Sequence, residues 1–180
     1  LLPLAKSKTK SNFAQATFLE EGMQSFAEAM RTIRTGVILS SIDAPHQIVV
    51  VTSSVPGEGK TTTSLNLALA MGQMERVLLI DADMRRPSVA KACNIPAASP
   101  GLSNLVAGSA DMSQCIHHLE DGNIDVLTAG LIPPNPLELL SSKRFKEVLN
   151  QLLEKYDRIV IDSAPTLAVS DALVLASLAN

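Results

Sequence analysis

The chain has 180 residues, 46 % hydrophobic and 18 % charged, with nine glycines and ten prolines, which suits one globular domain and excludes a disordered, collagenous or low-complexity chain. Its 15 Lys and Arg against 18 Asp and Glu leave −3, or −6 (12 against 18) once Lys6, Lys8 and Lys10 are set aside; aromatics are 3 %, with no Trp. Neither phosphate neutralisation nor base stacking is provided for, so nucleic acid is not an expected partner, and no apolar run approaches the roughly 18 to 20 residues of a membrane helix.

Residues 1–17 are polar and basic without sustained periodicity, and read as a linker or arm ahead of a folded domain over 18–180. The chain starts at Leu1 with no signal-peptide pattern, as a piece of a longer protein would. From Leu19 the apolar positions Met23, Phe26, Met30, Ile33 and Val37 follow at steps of four and three, predicting an amphipathic helix over about 18–40. Glu28 falls opposite that stripe, Arg31 beside it and Arg34 near its edge.

Four short apolar runs follow, at Ile48–Val51, Val77–Ile80, Ile124–Leu127 and Ile159–Ile161. Such runs predict strands buried on both faces. Helical patterns separate them at Thr62–Gln73, around Leu102–Val106 and at Ser142–Lys155. The expectation is a doubly wound α/β fold, its mostly parallel sheet flanked by helices, with the ligand beyond the carboxyl ends of the strands. Asn135 and Pro136 read as the cap and first residue of a further helix. His117 and His118 read as surface-loop residues, and Cys93 and Cys115, in no metal or redox spacing, as structural thiols.

The first run leads into Ser53-Ser54-Val55-Pro56-Gly57-Glu58-Gly59-Lys60-Thr61-Thr62 and then a helix, the context a phosphate-binding loop requires. Gly57 and Gly59 let backbone N–H groups turn inward, and the helix start adds partial positive charge. Residues Pro56 to Thr62 would cradle the phosphates, with Lys60 on the β and γ phosphates and the Thr61 hydroxyl on Mg²⁺. Ser54 replaces the first glycine of the standard pattern, so the loop is a deviant one.

The second run ends in Asp81-Ala82-Asp83, two carboxylates that point the same way in an extended segment and so converge at the strand's carboxyl end, and the last in Asp162, which suits a Mg²⁺-holding position. Three such sites at the same sheet end predict a Mg-nucleotide and phosphoryl transfer.

Asp81-x-Asp83-x-Arg85-Arg86-Pro87, after Pro56-Gly57-Glu58-Gly59-Lys60-Thr61 and before Ile161-Asp162-Ser163-Ala164-Pro165, resembles the bacterial tyrosine kinases, cytoplasmic domains of polysaccharide co-polymerases. The likeness covers roughly residues 20–180. It implies a phosphate-loop fold of the partitioning-ATPase type and γ-phosphoryl transfer from MgATP to tyrosine. It also implies a role in capsule or exopolysaccharide production at the cytoplasmic face of the bacterial inner membrane, with a transmembrane activator in cis or in trans. Lys60 would stabilise the transferring phosphate. Asp81 is the favoured base, with Asp83 supporting metal or water, and Asp83, Asp162 and Thr61 around Mg²⁺.

Glu28-x-x-Arg31-x-x-Arg34 resembles the family's oligomerisation motif, which closes subunits into a ring for phosphorylation in trans of a carboxyl-terminal tyrosine cluster. No such cluster stands in these 180 residues, and Tyr156 reads as structural. The rival readings are a switch ATPase of the partitioning or division-site type, whose extra loop lysine is replaced here by Val55, and a non-catalytic, nucleotide-gated oligomerisation module.

Overall fold

Ile48-Val49-Val50-Val51, three of four residues β-branched valines, forms the first strand, as such side chains favour a pleated surface. In the computed structural model residues 17–19, 23–40 and 46–179 are described; the expected arm, up to residue 16, lies outside them. A 3-10 turn (Thr17–Leu19) and α1 (Gln24–Ser40) precede β1 (Ile48–Val51). Then come α2 (Lys60–Gly72), β2 (Val77–Asp81), α3 (Val89–Ala92), α4 (Leu102–Ala107), α5 (Met112–Cys115), β3 (Ile116–Leu119) and β4 (Ile124–Leu127). A second 3-10 turn (Glu120–Gly122) joins β3 to β4, and α6 (Pro136–Ser141), α7 (Lys143–Leu153), β5 (Arg158–Asp162) and α8 (Asp171–Ala176) complete the order.

The strands lie in the order β1-β5-β2-β4-β3, all parallel except β3 against β4. Side chains alternate across this sheet. Val77, Leu79, Ile124, Val126 and Val160 pack under α1, α2 and α3, while Leu78, Ile80, Leu127, Ile159 and Ile161 pack under α4, α7 and α8. The predicted doubly wound architecture therefore forms, with a core on each face. Helix α2 is buried without a break from Ser64 to Gly72, so the loop at its start rests on a fixed rod. As predicted, Asn135 caps α6, its side chain accepting from Glu138 N at 3.4 Å, with Pro136 at the first helical position.

Three expectations need correction or refinement. Helix α1 starts at Gln24 rather than 18; ahead of it Phe18 is tucked in, its N–H donating to Asn66 Oδ1 at 2.7 Å. β3 was not foreseen. His117 and His118, expected in a surface loop, lie on that strand, with His118 Nδ1 2.7 Å from Asp125 Oδ1. An edge strand has no need of a continuous apolar run, so two imidazoles disguise it. Cys93 and Cys115 are free and buried, as read.

Helix α4 docks on the loop after β4 through Leu102 N to Thr128 O at 2.7 Å and Ser103 N to Ala129 O at 3.0 Å. A Cβ on Gly101 would overlap the Thr128 carbonyl oxygen and Gly130 N. Gly101→Ala is accordingly expected to cost about 1–3 kcal/mol, read as a lowered urea midpoint.

The Tyr156 hydroxyl donates to Asp125 Oδ2 at 2.6 Å. Burial first, and then the Asp125 carboxylate, push that hydroxyl above its usual range, so it stays protonated and structural. Tyr156→Phe should destabilise the domain by about 1–2 kcal/mol by leaving a half-buried carboxylate short of a donor, measurable by thermal unfolding.

Candidate nucleotide site

Gly57 and Gly59 take φ +86° and +87°, the left-handed region, and Gly59 caps α2. An L-residue there would be strained by roughly 1–2 kcal/mol. Glu58 braces the loop from within: its Oε2 accepts from Ser54 N at 2.8 Å and Val55 N at 3.1 Å. Ser54, at the place of the missing first glycine, is thus held by its own backbone N–H. Beyond the strands, Thr166 N to Ser53 O at 2.8 Å and Leu167 N to Ser54 O at 3.2 Å continue the β1–β5 alignment, fixing the wall opposite the loop.

Behind the loop, Asp162 ends β5 fully buried. Its Oδ2 accepts from Thr61 Oγ1 at 2.6 Å and its Oδ1 from Ser64 Oγ at 2.9 Å, while Ser88 Oγ lies 2.7 Å from the Thr61 hydroxyl. Burial raises the Asp162 carboxyl above the ordinary range, against the pull of the Thr61 and Ser64 hydroxyls.

The two aspartates after β2 part company. Asp81 pairs in register with Asp162 and is fully buried. Its Oδ1 accepts from Asp83 N at 3.2 Å, and its Oδ2 from Ser88 N and Val89 N at 3.0 Å each, capping α3. Burial, then the Asp162 charge, push this carboxyl up to about 7, against the N–H groups of Val89 and Ser88. Asp83 instead lines the cleft, with Oδ2 4.0 Å from Lys60 Nζ. Both Asp81 oxygens accept from backbone N–H groups, whereas Asp83 borders the cleft. β2 stops at Asp81, so Asp83 lies in the turn beyond the strand.

Next to these groups lies a cleft of about 490 Å³ walled by the glycine loop, Asp83, Arg85, Arg86, Ser88 and the 164–169 segment. Among the described residues no group of three or more His, Cys, Asp or Glu forms a metal cage. Mg²⁺ normally takes one or two protein oxygens and completes its shell with phosphates and water. The hydroxyl and carboxylate oxygens here therefore suit an ion that arrives with a nucleotide. Ser64, Ser88 and Asp171, which shape this region, were not foreseen. A serine directly after Asp-x-Arg-Arg-Pro was the one available signal, for Ser88. Away from the cleft, Arg31 Nη1 meets Glu28 Oε2 at 3.2 Å in the open, and Arg34 Nη1 donates to Ala70 O at 2.9 Å.

Strand, glycine loop, buried helix and paired strand-end aspartates define a phosphate-loop nucleoside-triphosphate-binding domain. Residues 46–178 match the family model described as an AAA domain. Tyrosine-protein kinase YwqD of Bacillus subtilis is 43 % identical over 155 residues, 86 % of this chain and 65 % of that protein. The kinase domain of VpsO superposes with TM-score 0.79 at 46 % identity, over 87 % of this chain and 77 % of that one. For the kinase domain of the Escherichia coli tyrosine kinase ETK the TM-score is 0.87 at 31 % identity, over 97 % and 71 %. MinD of Pyrococcus horikoshii, complexed with Mg-ADP, gives 0.60 at 26 % identity, over 74 % and 54 %. The chain belongs to the AAA domain family and, within it, to the bacterial tyrosine kinases. It spans less than two thirds of YwqD and 21 % of the Escherichia coli kinase etk. Among the described residues no helix is long and apolar enough to cross a membrane.

Proposed function

We propose that the chain is the catalytic domain of a MgATP-dependent protein-tyrosine kinase. The observation that carries the reading is the cleft itself, where Lys60, Thr61 and Asp83 face one space and Asp162 holds Thr61 from behind. Lys60, drawn off Asp83 by the phosphates, stabilises charge on the transferring γ-phosphoryl group. Asp83, released from Lys60, accepts the proton of the tyrosine hydroxyl as its oxygen bonds to phosphorus and ADP leaves. Thr61 and Asp162, supported by Asp83, would hold Mg²⁺, which would neutralise phosphate charge. Asp81 keeps the turn that presents Asp83 and Ser88 in shape.

The biological setting is part of the same proposal. Autophosphorylation in trans on a tyrosine cluster, control of capsule or exopolysaccharide synthesis, and a transmembrane activator at the cytoplasmic face of the inner membrane are what the resemblance of the motifs implies. Ring assembly through Glu28, Arg31 and Arg34 is supported by the exposure of the Glu28–Arg31 pair, which as a surface ion pair contributes only about 0–1 kcal/mol to the fold and is free to re-pair with a neighbour. Glu28→Ala with Arg31→Ala is expected to lower the assembled mass in light scattering while leaving the unfolding midpoint within about 1 kcal/mol of the parent.

Incubating the protein with MgATP and probing for phosphotyrosine tests the activity. ATP hydrolysis without phosphotyrosine would favour the switch ATPase, against which Val55 in place of the extra lysine already weighs. Nucleotide-dependent assembly with neither reaction would favour the non-catalytic module.

A further inference from the structure

One buried carboxylate beside the cleft has no part in the reading above. Asp171 opens α8 and is fully buried, and one side chain takes both of its oxygens: Arg85 Nε donates to Oδ2 at 2.9 Å and Nη2 to Oδ1 at 3.2 Å. Among the described residues the Asp171 side chain has no other hydrogen-bond partner. Arg85 comes from the turn after β2, two residues beyond Asp83, and lines the cleft. Asp171 stands two residues after the 164–169 segment that forms the opposite wall. The pair therefore ties one wall of the cleft to the other.

The geometry decides what Arg85 can do. A guanidinium carries five N–H donors in a rigid fork and does not deprotonate in proteins. The fork spends Nε and one Nη2 proton on Asp171, leaving Nη1 without a partner among the described residues. Swinging away would strand a buried, unpaired carboxylate, a strongly unfavourable state. Arg85 is thus held in one rotamer with spare donors, in a side chain that borders the same cleft as Lys60 and the glycine loop, and its ordering is complete before any ligand arrives. Arg86, its neighbour, has no such brace: its side chain has no hydrogen-bond or ion-pair partner among the described residues.

We propose that Asp171 is a positioning residue that holds Arg85 as a preset donor to the phosphate groups of the nucleotide in the cleft. The inference rests on the nucleotide reading of that cleft. It is tested by titrating a fluorescent ATP analogue, with Mg²⁺, into the parent protein and into Arg85→Gln, Arg85→Lys, Asp171→Asn and the Arg85→Gln/Asp171→Asn double variant, with thermal unfolding of each. Loss of one charge-assisted hydrogen bond predicts about 10-fold weaker binding for Arg85→Gln. Arg85→Lys keeps the charge beside Asp171 but lacks the fork, and should fold like the parent yet bind several-fold more weakly. Asp171→Asn should weaken binding several-fold, and the double variant should bind no worse than Arg85→Gln, because Asp171 acts through Arg85.

Parent-like affinity in the folded Arg85→Gln and Arg85→Lys proteins would overturn the inference alone. So would an Asp171→Asn loss that multiplies with that of Arg85→Gln, or a lowered melting temperature in Asp171→Asn with affinity unchanged. A parent that binds no nucleotide would overturn the reading of the cleft and this inference with it.

Discussion

Lys60→Met is expected to reduce phosphotyrosine formation by about 1,000-fold or more, because phosphoryl transfer offers little covalent chemistry and catalysis rests on positioning and charge stabilisation. Lys60 begins α2 at the glycine loop, and its side chain and that of Asp83 are only 10 % and 9 % exposed. No second lysine borders the cleft. Methionine keeps the length and apolar stem of the side chain and removes only the ammonium. The fold should survive, since the resting contact to Asp83, at 4.0 Å, is at the outer limit of an ion pair. A radiolabelled-phosphate assay alongside circular dichroism melting checks both halves. A folded Lys60→Met protein of parental activity would refute the role given to this loop.

The second large effect is on stability against pH. Asp81 holds its proton up to about 7 in the folded domain, whereas an aspartate in an unfolded chain titrates near 3.9. Between those values the unfolded chain has lost a proton that the native state keeps. Its contribution is therefore complete below about pH 4 and falls as pH rises to 7, by roughly 4 kcal/mol for this one group. Asp162, also raised by burial, acts in the same direction. Urea unfolding of the nucleotide-free protein at pH 5, 6, 7 and 8 should show the midpoint declining and then levelling, and Asp81→Asn should flatten the decline. A midpoint that climbs from pH 5 to 7 would contradict the placing of Asp81 in a buried cap.

The inner strands were legible because burial on both faces forces uninterrupted aliphatic runs such as Leu78-Leu79-Ile80 and Ile159-Val160-Ile161. β3 was not, since Ile116-His117-His118-Leu119 closes an edge where imidazoles are tolerated. In the site, the glycine spacing and the strand-end position pointed to Lys60, Thr61 and Asp162, which the structure brings together at one end of the sheet. How Asp81 and Asp83 divide their roles was not legible for a local reason: alternation is a property of a strand, and the strand ends between them. Ser64 and Asp171 acquire their roles from partners 98 and 86 residues away in sequence, separations that no short pattern encodes.

Helix α2, at 13 residues, is a rod of about 20 Å. At its front end stand the glycine loop and Lys60; at its rear, Arg34 of α1 grips the Ala70 carbonyl in the last turn. The helix thus has a cation at its negative pole and a phosphate seat at its positive one, like a bar magnet with a keeper at each end. A neighbouring subunit that captured the Arg34 guanidinium would lift the rear keeper, and a nucleotide supplies the front one. In the proposed ring, subunit contact and phosphate binding would in this way act on the two ends of one mechanical element.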